Sequence, residues 1–173
     1  MAQSADKRYL YPITENGLVG DTDKRRRVIT EFDTRSGRYT ERSWSYRADS
    51  DGGLAADAQI TSRGTLLVLE RDNGDGPTAV TKRVYRVRLG RHGTTSKSLV
   101  VDLLRISDPR GISTGGGWGT GPQFAFAFQS VETLVPLSGG RLMIANDNNY
   151  PGNSTRNPGT PDDTEMIVID PGR

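Results

Sequence analysis

The sequence predicts an all-β fold, a partial β-propeller of about two and a half to three four-stranded antiparallel blades. Three observations predict it. An apolar run that ends in charged and amide groups, Thr65-Leu66-Leu67-Val68-Leu69-Glu70-Arg71-Asp72-Asn73, recurs as Arg141-Leu142-Met143-Ile144-Ala145-Asn146-Asp147-Asn148-Asn149. A fainter copy is Tyr9-Leu10-Tyr11-Pro12-Ile13-Thr14-Glu15-Asn16. Gly (21) and Pro (9) are abundant among 173 residues, which favours many turns and short strands over long helices. No segment sustains a 3.6-residue apolar period, apart from a weak match near residues 99–104.

The strands follow from short apolar runs bounded by Gly, Asp, Asn and Pro. The first is 8–14. Next, 27–33 leads through the turn Thr34-Arg35-Ser36-Gly37 to 39–46. A hairpin follows: 57–61, a Ser-Arg-Gly turn, and 65–70. Strands at 82–88 and 97–102 complete that unit. The last unit repeats the hairpin as 130–136, a Ser-Gly-Gly turn and 141–146, and ends with 165–170. Aligning the units sets Asp57-Ala58-Gln59-Ile60-Thr61 against Glu132-Thr133-Leu134-Val135-Pro136, and Val84–Arg88 against Met166–Asp170. A two-stranded hairpin followed by a third and a fourth strand, in units of roughly 40–60 residues, forms the propeller-blade pattern.

The whole chain, 1–173, reads as one partial propeller domain with blades near 7–50, 55–105 and 129–173. The first unit is expected to begin at its second strand and the last to end at its third. An open arc exposes sheet faces and edges. The expectation is therefore a fragment or split subunit whose partner is a missing N-terminal half or a second chain. Residues 108–128 form a Gly-rich insert with Gly115-Gly116-Gly117-Trp118-Gly119 before Phe124-Ala125-Phe126-Ala127-Phe128. No Lys-Ser/Thr follows the glycines, so a P-loop is not supported, and a long connection lying over the functional face is expected.

Composition excludes several classes. Without Cys there is no disulfide, thiolate catalysis or Cys-based zinc site. The single His, His92, excludes a multi-His metal site and is expected in a solvated turn away from the channel mouth. Charge is near balance, 23 basic against 21 acidic residues, and does not argue for nucleic acid. Lys24-Arg25-Arg26-Arg27 follows Asp21 and Asp23 and reads as a solvated turn. No apolar run approaches a membrane span, and no signal peptide is visible in the given sequence, where a missing N-terminal half would carry its own. Ser62, Ser130 and Ser138 lack the G-x-S-x-G context of a hydrolase elbow.

Strand order places the chemistry. In a hairpin the first strand starts where the second ends, so Asp57 is expected near Glu70, Arg71 and Asp72. Glu132 is expected near Asn146 and Asp147, and Glu15 holds the matching end of the first unit. Acids from three units thus converge on one mouth of a channel. Hard oxygen ligands without His or Cys suit Ca²⁺ or Mg²⁺. The candidate ligands are Asp57, Glu70, Glu132, Asp147 and Glu15, and Asp162-Asp163 and Glu165 add acids before the last strand. The plainer reading of each acid is an Asx-turn or a surface ion pair. Asp72-Asn73-Gly74-Asp75-Gly76 looks a little like a calcium loop but lacks the spacing and terminal Glu of an EF-hand. Arg71 either binds a substrate phosphate or neutralises Asp57 and Glu70.

Leu69-Glu70-Arg71-Asp72-Asn73 with Lys82-Arg83-Val84-Tyr85-Arg86-Val87 resembles the phytase-like β-propeller family, "esterase-like activity of phytase". So do Leu10-Tyr11-Pro12 with Glu15 and Gly20-Asp21. Asn146-Asp147-Asn148-Asn149-Tyr150-Pro151 with Gly159-Thr160-Pro161-Asp162-Asp163-Thr164-Glu165 is the most specific match. Ala56-Asp57 stands where the family shows Gly-Asp. The resemblance covers the C-terminal half of such a domain. It implies a six- or seven-bladed propeller, a periplasmic or extracellular location, and calcium-assisted hydrolysis of a small phosphoester. In that mechanism carboxylates hold Ca²⁺, which polarises a phosphoryl oxygen and activates a water, while Arg71 stabilises phosphate charge. The chain alone is then expected to be inactive. Alternatives are a non-catalytic binding platform and a lactone or carboxyl esterase on a propeller.

Overall fold

The computed structural model describes residues 1–62, 64–113 and 115–172. Two four-stranded sheets come first. The strands β1 (Ala2–Gln3), β2 (Tyr9–Tyr11), β3 (Arg26–Asp33) and β4 (Arg38–Arg47) pair in sequence order, and so do β5 (Leu54–Ser62), β6 (Thr65–Arg71), β7 (Lys82–Leu89) and β8 (Thr95–Asp102). A short antiparallel pair, β9 (Ile106–Ser107) and β10 (Gln123–Phe124), leads to a three-stranded sheet of β11 (Ser130–Pro136), β12 (Leu142–Asp147) and β13 (Met166–Ile169). The strand pairings among the described residues are all antiparallel. The fold is an all-β partial propeller whose arc does not close.

The innermost strands meet: β5 packs against β1 on one side and β11 on the other. The middle sheet is therefore covered on both faces, which explains why Leu66-Leu67-Val68-Leu69 is apolar without alternation. Leu66, Val68, Tyr85 and Val87 face the first sheet and join Tyr11, Ile29, Trp44 and Tyr46 in one core cluster. Leu67, Leu69 and Val84 face the third sheet and join Val131, Leu134, Leu142, Ile144 and Ile169 in another. Each buried Leu, Val or Ile here contributes roughly 1.5–3 kcal/mol relative to exposure. Every sheet thus has a preceding face, turned toward the sheet before it, and a following face.

Several expectations are corrected. The first unit does not begin at its second strand, because Ala2–Gln3 pairs with Leu10 and Tyr11 as a two-residue first strand, too short to carry any periodicity. The strand expected at 97–102 lies within β8, where Leu99 and Val101 pair with Tyr85 and Val84 of β7, so the weak helical match at 99–104 is not a helix. The hairpin alignment shifts by one residue. Both hairpins carry a bulge, between Ala55 and Asp57 and between Val131 and Thr133, so Glu132 matches Ala56 and Asp57 matches Thr133.

The insert is only partly a surface connection. Phe124, Ala125, Phe126, Ala127 and Phe128 are all buried, with Phe124, Phe126 and Phe128 belonging to the cluster between the second and third sheets. The basic run is not a solvated turn throughout. Arg25 and Arg26 pair with Asp51 and Asp21, but Arg27 is fully buried and donates to the carbonyls of Lys24, Arg26, Asp51 and Gly53. His92 lies exposed in the turn after β7, and Trp44 is buried with its indole N–H on the Gly90 carbonyl at 2.9 Å.

Candidate functional site

One guanidinium joins the three propeller units. Arg71 ends β6 on its following face, and its side chain is only 7% exposed. Its Nη2 donates to Glu15 Oε1 of the first unit at 3.3 Å and to Glu132 Oε1 of the third at 3.0 Å. Its Nη1 donates to Asn73 Oδ1 at 2.8 Å, and its buried Nε has no partner among the described residues. The two carboxylates remain about half exposed, at 52% and 43%. Local structure explains the convergence. Glu132 sits in the β11 bulge, which frees it from the ladder. Glu15 is held by its own carbonyl, which accepts the Ala55 N–H at 3.1 Å. The pairing expected of Arg71 with Asp57 and Glu70 is replaced by Glu15 and Glu132, because the Asp57 carboxylate is taken by the Leu134 and Ala58 N–H groups and Glu70 points to the other face of β6.

The remaining candidates lie elsewhere. Asp57 staples two innermost strands: its Oδ2 accepts the Leu134 N–H at 3.0 Å, and its Oδ1 accepts the Ala58 N–H at 2.7 Å. Glu70, one residue before Arg71 and so on the opposite face of β6, is fully buried between the first and second sheets. It accepts the Asp49 N–H at 2.6 Å, a Lys97 ammonium N–H at 2.7 Å and the Tyr46 hydroxyl. Lys97 also donates to Asp49 at 2.6 Å and lies over the Tyr85 and Tyr46 rings, 3.9 and 4.8 Å from their centroids. Burial and the neighbouring Glu70 carboxylate push the Tyr46 phenol far up. Asp147 is exposed at the end of β12, where it accepts the Asn149 N–H at 2.9 Å.

The loop with a passing likeness to a calcium site holds an ammonium. Lys82 is fully buried, and its Nζ lies 2.8 Å from the Asp72 carbonyl, 2.9 Å from Asp72 Oδ1, 2.9 Å from the Gly74 carbonyl and 3.4 Å from the Gln129 carbonyl. Burial pushes the lysine down and would push Asp72 up. The ammonium and the Val80 and Thr81 N–H groups outweigh burial at Asp72 and hold it below the usual carboxylate range. Lys82 belongs to a stretch that carries the family resemblance, but nothing in its spacing signals this role: three of its acceptors lie eight or ten residues away and the fourth, the Gln129 carbonyl, 47 residues away.

Over this end of the sheets the insert is tied down. The Gly76 N–H donates to the Ala127 carbonyl at 2.9 Å and the Trp118 N–H to the Arg156 carbonyl at 2.8 Å. Arg156 is gripped in turn by Glu165 at 2.7 Å and stacks on Phe124 and Phe128. Asp162 is buried and accepts the Thr155 and Arg156 N–H groups at 2.8 and 3.1 Å. Both acids serve loop structure. Among the described residues no group of three or more His, Asp or Glu could hold a metal ion. No helix among them is long and apolar enough to cross a membrane.

A family model described as phytase-like, esterase-like activity of phytase, matches residues 1–150. The match takes in all of β1 through β12 and stops before the 151–165 segment that carried part of the resemblance. No curated protein and no solved structure matches the chain. With most of its length matched, the chain belongs to the phytase-like family, described as esterase-like activity of phytase.

Proposed function

We propose that the chain supplies the anion-binding mouth of an exported phosphoester-hydrolysing propeller, with Arg71 as the phosphate contact. One observation carries the reading. A buried guanidinium with an unpartnered Nε is held between two half-exposed carboxylates at the meeting point of three sheets. Removing an arginine from water leaves its unmet donor seeking an acceptor. Phosphate oxygens match the planar fork of donors and can displace one exposed carboxylate partner.

Calcium, which the family reading brings with it, would polarise a phosphoryl oxygen and lower the pKa of a bound water. The donors of this chain do not fit a calcium cage by themselves. Ca²⁺ takes six to eight oxygens, whereas Glu15 and Glu132 are spent on Arg71, Asp57 on backbone N–H groups and Glu70 on Lys97. Oxygen ligands from outside the three sheets are needed, and hydrolysis by this chain alone is not expected. What these residues do by themselves is bind and orient an anion. A non-catalytic binding platform is favoured by the same fact, since most candidate acids are satisfied by structural partners.

Calorimetric titration with a small phosphomonoester separates the readings, run with calcium, with EDTA, and alongside turnover assays. Arg71→Lys should weaken binding about tenfold or more, since the loss of a bidentate charge-assisted contact costs at least about 1.4 kcal/mol. Unchanged affinity in Arg71→Lys and Arg71→Ala would remove Arg71 from the site. Binding without turnover under every calcium condition would favour the platform.

A further inference from the structure

The charges at the mouth do not suit a bare phosphate. Arg71 brings one positive charge, and Glu15 and Glu132 bring two negative ones. Both carboxylates bond the same atom, Nη2, so an anion seated on the guanidinium has a carboxylate close beside it. Each acid spends only Oε1 on Arg71, and neither Oε2 has a hydrogen-bond partner among the described residues. Both side chains are about half exposed, so a ligand can reach those oxygens. The place of Arg71 on β12 is held by Asp147, another exposed acid. Lys82 gives no relief, because its ammonium is fully buried and its charge is met by Asp72.

A phosphate that displaces one carboxylate from Nη2 leaves that carboxylate bare beside a second negative group, and like charges at such range oppose binding. The opposition is removed when the ligand brings a cation of its own. We propose that the mouth takes a zwitterionic phosphoester, one whose alcohol part carries an ammonium on a short spacer. The phosphate spans Nε and Nη2 of Arg71, and the ammonium donates to the free Oε2 atoms of Glu15 and Glu132. The groups match in kind, since ionised carboxylates only accept, and an ammonium has three donors and no acceptor. Glu15 and Glu132 are then the residues that set specificity. This rests on the reading of Arg71 as the phosphate contact and adds what the two acids recognise.

Aminoethyl phosphate and propyl phosphate differ by an ammonium in place of a methyl group. Calorimetric titration of both into the full chain tests the proposal. Neutral pH keeps the amine charged, and EDTA keeps metal ions from bridging the acids. Aminoethyl phosphate should bind about tenfold more tightly or better, since a charge-assisted hydrogen bond contributes roughly that factor. In the double variant Glu15→Gln, Glu132→Gln, propyl phosphate should gain affinity and the advantage of the amine should vanish. Both acids are half exposed, so the variant should keep the melt of the unaltered chain. Equal affinities in the unaltered chain, with both weakened by Arg71→Lys, would overturn the zwitterion and leave the phosphate contact standing. Binding of neither ester would overturn both readings. An advantage of the amine that survives the double variant would overturn the role of the two acids.

Discussion

Replacing Lys97 by Met tests the polar junction between the first two sheets. Glu70 is fully buried, and its charge is met by the Lys97 ammonium at 2.7 Å, the Asp49 N–H at 2.6 Å and the Tyr46 hydroxyl. The Met side chain keeps most of the packing between the Tyr46 and Tyr85 rings but removes the cation. Stranding one partner of a buried ion pair costs about 3–5 kcal/mol. Lys97 is 18% exposed, so water can reach the gap and the lower end, about 3 kcal/mol, is expected. For a chain of this length that corresponds to a fall in Tm of roughly 6–12 °C. Urea denaturation of Lys97→Met, Glu70→Gln and the double variant forms the assay. The double variant should be more stable than Lys97→Met alone, because removing both charges abolishes the uncompensated carboxylate. A loss below about 1 kcal/mol in Lys97→Met, or a double variant no better than it, would refute the reasoning.

Asp72→Asn should destabilise the chain by about 3 kcal/mol in the same assay, because it leaves the fully buried Lys82 ammonium without its carboxylate. A change within a few tenths of a kcal/mol would mean the three carbonyls suffice. Acid should act through Asp49 and Asp72. Burial would raise both, but hydrogen bonds from Lys97, Tyr85 and Arg83 at Asp49, and from Lys82 at Asp72, hold them below the usual carboxylate range. A folded pKa below the unfolded value gives stability that is present above about pH 4 and is lost as pH falls through the folded value. The urea midpoint should therefore hold from neutral pH to about pH 5 and decline below about pH 4; a midpoint unchanged into strong acid would count against these pairs. Millimolar calcium should leave Tm unshifted, since the described residues bring no group of three or more acids together; a clear rise would show that a cage exists.

The sheets were legible because turn residues punctuate them. The strand expected at 130–136 is Ser130–Pro136, and those expected at 27–33, 65–70 and 82–88 differ from β3, β6 and β7 by one residue at one end. Ala2–Gln3, Ile106–Ser107 and Gln123–Phe124 were not legible, since two residues carry no period. The site was half legible. Its end of the strands followed from hairpin order, which brought Glu15, Arg71 and Glu132 together. The face of each acid did not, because a bulge shifts the two-residue alternation and leaves no trace in composition. Nor could the sequence show that Arg27 and Lys82 are buried, because their acceptors come from loops brought close only by folding.

The bulges in β5 and β11 have a consequence for how such a mouth can change. At their mouth ends β5 and β11 each contain one residue exempt from ladder pairing, Ala56 in one and Glu132 in the other. An alanine and a glutamate hold equivalent slots while the flanking ladders run in the same register. The slot is therefore a free variable in an otherwise constrained repeat, and the charge of the mouth can diverge blade by blade while the core sequence stays under its own separate constraints.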